Sequence, residues 1–226
     1  MGLSKTKLFV RVLLLMLAAS YFIHTLLKQN QTKLPSINGV IIPHAKVVGP
    51  FSIIDHNNRN FSNQHLIGKW HLLSYGYTNC PDVCPTTLNV LVQLKQMLNT
   101  ENKHDDLDVL FYSIDHERDT TKRLAEYLAF FDDDFLGLTY KKESVGEGLS
   151  FEKNLGMISV LTQSKDQQEI EAYGKYRVSH GYMLYLINPD GALQAVFRPT
   201  KGEASVNFFT ADKLYQDYIS VRDYFG

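Results

Sequence analysis

The sequence predicts an α/β domain that follows a hydrophobic N-terminal helix. Short apolar runs with the length of buried strands alternate with segments of helical periodicity between residues 49 and 224. The tetrapeptide Asn-Pro-Asp-Gly at residues 188–191 separates two of these runs and is a strong β-hairpin signal. Ahead of the domain, residues 8–27 are almost entirely apolar. These patterns together indicate a membrane-associated chain with a single α/β domain.

The apolar stretch at residues 8–27 has the length of roughly 20 residues that a helix needs to cross a bilayer core. Lys5, Lys7 and Arg11 precede or enter the stretch, whereas no acidic residue lies in it or before it. By the positive-inside rule, residues 1–7 form a cytoplasmic tail and the chain after Lys28 is exported. The stretch is therefore predicted to be one transmembrane helix.

A cleavable signal peptide is the alternative interpretation of this stretch. Small residues at 18–20 would suit a cleavage site, but the apolar run continues beyond them. We therefore expect an uncleaved signal anchor, followed by a polar tether over residues 28–42 and a domain over residues 43–226. The N-terminus does not have the Arg- and Ser-rich pattern of a mitochondrial transit peptide. We expect a bacterial inner membrane, with the domain in the periplasm.

The exported part of the chain has the composition of an ordinary globular domain. Residues 1–30 hold four of the 23 basic residues and none of the 24 acidic residues, so the remainder carries a formal net charge of −5. A nucleic-acid-binding protein would present a basic patch or stripe, and we expect no nucleic-acid partner. The length is sufficient for one domain with a substantial core.

The first half of the domain contains three predicted strands and one helix. Residues 49–55 alternate apolar and polar side chains and are followed by two asparagines, which predicts an N-terminal hairpin. Residues 69–76 form an apolar run suited to a buried strand. Apolar residues then recur at helical spacing from Pro85 to about Asn99, and residues 107–114 form the next strand.

The second half of the domain continues the alternation of helices and strands. Asp119 or Thr120 can cap a helix that runs to Phe131, with apolar residues on one face. The remaining predicted elements are a short helix at 144–155, two strands at 182–187 and 193–197, and a final helix at 204–224. The order of strand, cysteine loop, helix, strand, helix, hairpin and helix is that of a thioredoxin-like fold.

Cys80 and Cys84 are the only cysteines of the chain. A disulfide between them would close a very small loop, whereas structural disulfides stabilise most when they close long loops. The pair lies where a buried strand ends and a helix begins, and the helix dipole there favours thiolates. The spacing therefore indicates a metal site or a redox couple. Two thiolates are soft donors that favour Cu(I), Zn(II) or an iron–sulfur cluster.

Two cysteines alone leave a metal without enough ligands, so a third ligand is expected from elsewhere in the chain. Among the eight histidines, His71 lies in the middle of a predicted strand, where packing is the simpler role. His116 follows the end of a predicted strand, and His180 lies just ahead of another. Both positions suit a ligand, and the pattern alone does not choose between them.

Three sequence blocks resemble the Sco/SenC family of membrane-anchored copper proteins that assist cytochrome c oxidase assembly. The blocks are Gly76–Pro85, Ser113–Thr120 and Tyr176–Gly191, and the similarity covers about residues 47–222. The resemblance implies a thioredoxin-like fold with an N-terminal hairpin extension, and copper bound by Cys80, Cys84 and His180. It further implies as partners the oxidase subunit that bears the binuclear copper (CuA) site and other copper carriers.

The chain departs from the family pattern at four positions near the predicted ligands. Ser179 and Gly181 flank the predicted ligand histidine, where the family usually has Asp before it and Ser or Thr after it. His116 replaces the proline of an Asp-Pro pair, and Asn79 replaces a histidine before the first cysteine. Because neighbours of a ligand commonly tune it, these changes are expected to shift copper affinity or redox behaviour.

Three functional hypotheses follow from the residues and the resemblance. The first is a copper chaperone that delivers copper to the CuA site of cytochrome c oxidase during assembly. The second is a thiol–disulfide oxidoreductase that uses Cys80 and Cys84 to reduce the cysteines of that site. The third is a copper or redox sensor, or a thiol peroxidase. The CxxxC spacing, wider than the CxxC of thioredoxin-type enzymes, favours the first hypothesis.

Overall fold

The computed structural model describes residues 2–29, 33–104, 106–201 and 207–226. Side chains are described within these ranges except at 2–6, 8, 23–29, 172–173, 201 and 207. The chain divides into two compact units, Met1–Pro35 and Ser36–Gly226.

The first unit contains helix α1, Gly2–Gln29. None of the helices among the described residues combines the length and the apolar character needed to cross a membrane. The transmembrane helix predicted at residues 8–27 is thus not confirmed by the structure.

The second unit contains twelve strands and five α-helices within its described residues. The strands are β1 Gly39–Val47, β2 Ser52–Asp55, β3 Asn60–Ser62, β4 Trp70–Gly76, β5 Leu107–Ser113, β6 Leu136–Thr139, β7 Ser159–Gln163, β8 Tyr176–His180, β9 Leu184–Ile187, β10 Ala192–Phe197, β11 Thr200–Lys201 and β12 Asn207–Phe208. The helices are α2 Val83–Thr100, α3 Thr121–Ala129, α4 Val145–Leu155, α5 Gln167–Tyr173 and α6 Ala211–Phe225. Short 3₁₀ turns cover Asn63–Leu66 and Lys142–Ser144.

An eight-stranded sheet forms the centre of this unit, with the order β1-β10-β9-β4-β5-β6-β2-β3. Strands β4, β5 and β6 are parallel, and β9 pairs with β4 in the antiparallel direction. Every residue of β4 is buried, as expected for a strand covered on both faces. Its neighbours Leu72 and Leu73 belong to two different hydrophobic clusters, one containing residues of α2, α3 and α6 and the other residues of α4.

The predicted α/β class is confirmed, together with both predicted hairpins. The N-terminal hairpin is β2–β3, and its turn contains Asn58 at φ +64°, a left-handed conformation that asparagine tolerates better than most residues. The turn at 188–191 joins β9 to β10, and Gly191 adopts φ +72°. Glycine at that position avoids the steric penalty that a Cβ would bring.

Two boundaries differ from the prediction. The segment predicted as a tether, residues 28–42, ends inside the edge strand β1, which pairs with β10. The register of that pairing shifts between Ile41 and Lys46, around Pro43, which cannot donate to a ladder and suits an edge strand. Helix α6 begins at Ala211 rather than near residue 204; residues 204–206 of the predicted helix lie outside the described residues.

Strands β7 and β8, with α5 between them, are absent from the prediction. They form a two-stranded antiparallel sheet separate from the central one, in which Ser159 is opposite His180. Strand β7 is largely exposed, with Val160 at 54% and Leu161 at 48%. Because one buried face is what produces alternation in a sequence, this exposed strand carries no clear periodic signal.

Candidate metal centre

The cysteine loop connects the end of β4 to the start of α2. Cys80 lies in the loop, where its amide donates to the Tyr77 carbonyl at 3.1 Å. Cys84 lies in the first turn of α2 and is 3% exposed, whereas Cys80 is partly exposed. The Cys84 Sγ packs directly against Gly76, where a Cβ would be closer to the sulfur than real Cβ atoms approach. Glycine at the end of β4 therefore makes room for the buried thiol.

His180 is the last residue of β8, and its side chain lies next to the two cysteines. Its Nε2 lies 3.7 Å from Cys84 Sγ, and its Nδ1 lies 2.6 Å from the Gly181 carbonyl oxygen. Because a carbonyl only accepts hydrogen bonds, Nδ1 carries the proton in that bond. The Nε2 lone pair then faces the sulfurs and is available to a metal.

Aromatic rings surround the imidazole of His180. Tyr75, Tyr77 and Tyr182 have ring centroids 5.5, 5.8 and 5.5 Å from it. Tyr75 Oη also lies where a Cβ of Gly181 would be, so the absence of a side chain after the histidine allows this tyrosine to approach closely. The rings limit the positions that the imidazole can adopt and reduce its contact with water.

The structure brings Cys80, Cys84 and His180 together. One ligand atom from each lies within 4.8 Å of the others, and the part of the chain that the structure describes contains no second group of this kind. His116, the other candidate, is not part of the group. Its ring stacks on Tyr140 with centroids 4.3 Å apart, and burial lowers its pKa. His116 is therefore a packed residue in a loop.

The two thiols have very different proton affinities. The hydrogen bond from Cys84 is the main cause that lowers the pKa of Cys80, to about 4, against the opposing effect of burial. Donation of this bond and burial raise the pKa of Cys84. Burial and the negative charge of the cysteines raise the pKa of Tyr77 to about 12. The metal-free pair thus holds one thiolate, at Cys80, and one thiol.

This asymmetry predicts selective alkylation of the metal-free, reduced chain. Iodoacetamide at about pH 6 should modify Cys80 much faster than Cys84, because a pKa of about 4 keeps the exposed sulfur ionised while Cys84 is 3% exposed. A lowered pKa means that the Cys80 rate falls only as the pH drops through about 4. Cys84→Ala removes the hydrogen-bond donor to Cys80, so the pH at which the Cys80 alkylation rate falls should be higher than in the wild-type chain. Peptide mass spectrometry measures both rates; equal rates at the two cysteines would contradict the assignment.

A buried carboxylate holds the cysteine loop against the start of α3. Asp119 is 0% exposed and accepts hydrogen bonds from the Thr78 amide at 2.8 Å, the Thr78 hydroxyl at 2.5 Å and the Ser113 hydroxyl at 2.6 Å. Burial raises the pKa of Asp119 in spite of these bonds. Arg123 donates to Thr78 Oγ1 at 2.6 Å and to Asn79 Oδ1 at 2.5 Å. The loop that carries Cys80 is thereby bound to the start of α3 through Thr78 and Asn79.

This network was only partly accessible to sequence reasoning. Asp119 was one of two candidates for the cap of α3, but the capping side chain is Thr120, which accepts from the Arg123 amide at 3.2 Å. Asp119 instead binds the cysteine loop 41 residues earlier in the chain. One sequence feature could have predicted this role of Asp119: it is an acidic residue directly before a helix cap, and it follows the carboxyl end of β5, the strand next to β4. Asn79, a departure from the family pattern, has a local role as the acceptor for Arg123.

Comparisons with known proteins place this arrangement in a family. The fold, with two cysteines between a strand and a helix and a histidine opposite them, defines a thioredoxin-like protein with a soft metal or dithiol site. The model of the family described as SCO1/SenC matches residues 41–208. The chain belongs to the SCO1/SenC family.

Individual relatives agree with this assignment. A protein of Stutzerimonas stutzeri is 34% identical over 185 residues, which cover 82% of this chain and 85% of that protein. Arabidopsis thaliana ScoI, solved with copper bound, superposes with a TM-score of 0.64 at 26% identity, over 79% of this chain and 99% of that one. BsSco, described as having a disulfide switch and as a member of the Sco family of cytochrome c oxidase assembly proteins, gives a TM-score of 0.56 at 25% identity, over 81% and 96%. The chain spans about half the length of several mitochondrial relatives that it matches.

Proposed function

We propose that this protein carries copper, holds it between Cys80, Cys84 and His180, and delivers it to the CuA site of cytochrome c oxidase during assembly. The observation that carries the proposal is the group of three ligand atoms within 4.8 Å of one another. Two thiolates and one imidazole form a soft donor set that suits Cu(I). The copper-bound relative and the oxidase-assembly relative support the cargo and the acceptor.

The burial of the three side chains suits a carrier. Cys84 is buried, whereas Cys80 and His180 are partly exposed. An incoming acceptor ligand can reach the metal from the side of Cys80 while Cys84 still holds it. Release by successive ligand exchange then requires no opening of the core, and copper acts as cargo rather than as a permanent cofactor.

Transfer to an acceptor tests the proposal directly. The full-length chain loaded with Cu(I) should metallate a reduced soluble CuA-type domain, and the copper-free chain should not. The copper content of the re-isolated acceptor and the acceptor thiols are measured separately. His180→Ala should lose delivery, because the copper site would be incomplete. If His180→Ala keeps full activity toward the acceptor while the cysteine variants lose it, copper delivery is the wrong function.

A thiol–disulfide oxidoreductase is the second candidate, and the ionised Cys80 beside a protonated Cys84 favours it. The Cys80 thiolate would attack an acceptor disulfide and release one acceptor thiolate. Cys84, deprotonated, would then attack Cys80 Sγ and release the second. The acceptor gains two electrons and this chain ends with a Cys80–Cys84 disulfide. Copper should inhibit this reaction, because metal binding and disulfide formation use the same sulfurs.

We further propose that residues 8–27 anchor the protein in a bacterial inner membrane with the domain in the periplasm, on the strength of the apolar stretch and its basic flank. The full-length chain should then remain in the membrane fraction after carbonate washing. Added protease should reach the domain from the periplasmic side. A soluble mature protein that begins near Ser20 would contradict the anchor.

A further inference from the structure

The position of His180 relative to the cysteines is set only in part by the central sheet. Strands β7 and β8 form their own two-stranded sheet, and β8 has no partner in the eight-stranded sheet. Cys80 and Cys84, by contrast, follow β4 in the middle of that sheet. Residues 181–183 join His180 to β9 of the central sheet, whereas the start of β8 depends on side-chain contacts with the body of the domain.

A group of three side chains, of which Asp115 and Tyr176 are buried and Arg118 is partly exposed, provides such a contact at the start of β8. The Tyr176 hydroxyl donates to Asp115 Oδ1 at 2.5 Å, and Arg118 Nε donates to Asp115 Oδ2 at 2.5 Å. Arg118 Nη1 also donates to the Tyr176 carbonyl at 3.4 Å, and its guanidinium lies 4.3 Å from the centroid of the Tyr176 ring. We call Asp115, Arg118 and Tyr176 the clasp. Asp115 is 1% exposed, so its charge is compensated within the clasp.

The clasp also contacts the cysteine loop. The Arg118 guanidinium lies 5.8 Å from the centroid of the Tyr77 ring, and Tyr77 meets His180 edge-on at 5.8 Å. Tyr77 precedes Cys80 in the loop and accepts the Cys80 amide hydrogen bond. One cation therefore contacts both the strand that carries the imidazole and the loop that carries the exposed sulfur.

We propose that Asp115, Arg118 and Tyr176 are positioning residues that hold the β7–β8 hairpin so that His180 completes the metal site. This inference rests on the proposed copper function. Tyr176 and His180 are four residues apart on one strand, roughly 13 Å at 3.3 Å per residue, so a small rotation of the strand about the clasp changes the distance from Nε2 to the sulfurs. The clasp touches no metal and acts through the hairpin.

The test uses Tyr176→Phe in the full-length chain, which removes one hydroxyl and keeps the ring under Arg118. Tyr127→Phe is the matched control, because the buried Tyr127 hydroxyl has no hydrogen-bond partner among the residues that the structure describes. In the metal-free chain, Tyr176→Phe should raise amide hydrogen exchange several-fold in residues 159–180 and leave β4 and β5 unchanged. Unchanged exchange in the hairpin, or an equal rise throughout the domain, would overturn the clasp whether or not copper binds.

Measurement of the Cu(I) affinity then tests whether the clasp acts through His180. Tyr176→Phe should weaken Cu(I) binding about tenfold, the lower end of what a residue beside a ligand contributes. In the His180→Ala background, the same change should have no further effect, because the ligand on which it acts is gone. Equal weakening in both backgrounds would overturn the inference. A wild-type chain that binds no copper would instead contradict the proposed function, and hydrogen exchange would still decide the clasp.

Discussion

Replacement of either Cys80 or Cys84 by serine should abolish Cu(I) binding by the reduced full-length chain. A hydroxyl is a hard, protonated group that does not replace a thiolate as a ligand for a soft cation. His180→Ala should weaken binding by more than the roughly 10–100-fold that neighbours of a ligand contribute, since it removes a donor outright. Anaerobic titration against a competing chelator measures all three effects.

His116→Ala is the control for these variants. His116 lies outside the group formed by Cys80, Cys84 and His180, and it stacks on Tyr140. Its replacement should leave copper affinity unchanged and cost only the stacking contact. Equal losses for His116→Ala and His180→Ala, or retained affinity in a cysteine variant, would overturn the ligand assignment.

Gly76→Ala should have the next largest effect, although no atom of Gly76 would touch the metal. The added Cβ would overlap Cys84 Sγ, which is 3% exposed and has little free space around it. Either β4 or the first turn of α2 must move, which displaces a predicted ligand. We expect strongly reduced copper affinity, and a loss of about 1–3 kcal/mol in the free energy of unfolding from overpacking.

Gly146→Ala is the matched control for this substitution, because no atom lies within 4 Å of the position of its Cβ. It should leave copper affinity unchanged and the stability equal or slightly higher, since alanine is the better helix former. Copper titration and thermal unfolding of both variants give the comparison. Wild-type copper affinity in Gly76→Ala would mean that Cys84 Sγ does not bind the metal from the position next to β4.

The parts of the fold that local pattern determines were predictable from the sequence. Strand β4 is a continuous apolar run, and α2 shows helical periodicity from its first turn. The cysteine loop between them could therefore be placed at the end of a buried strand. The turn at 188–191 was equally clear, because Gly191 supplies the left-handed conformation that the turn requires.

The parts that depend on contacts distant in sequence were not predictable. His180 meets Cys84 across 96 residues, and Tyr176 meets Asp115 across 61. Local pattern favoured His180 over His116 only slightly, since both lie next to a strand, and the family resemblance was needed to choose. Strand β7 of the hairpin that carries His180 is largely exposed and has no periodic signal of its own, and the clasp joins residues far apart in the sequence, so it could not be anticipated.

X-ray absorption spectroscopy at the copper edge tests the central claim most directly, because it counts and identifies the donors around the metal. The full-length chain loaded with one Cu(I) should show two sulfur donors and one nitrogen donor, from Cys80, Cys84 and His180. The nitrogen contribution should disappear in His180→Ala and persist in His116→Ala. A site with sulfur donors alone, or a spectrum that His180→Ala leaves unchanged, would contradict the account.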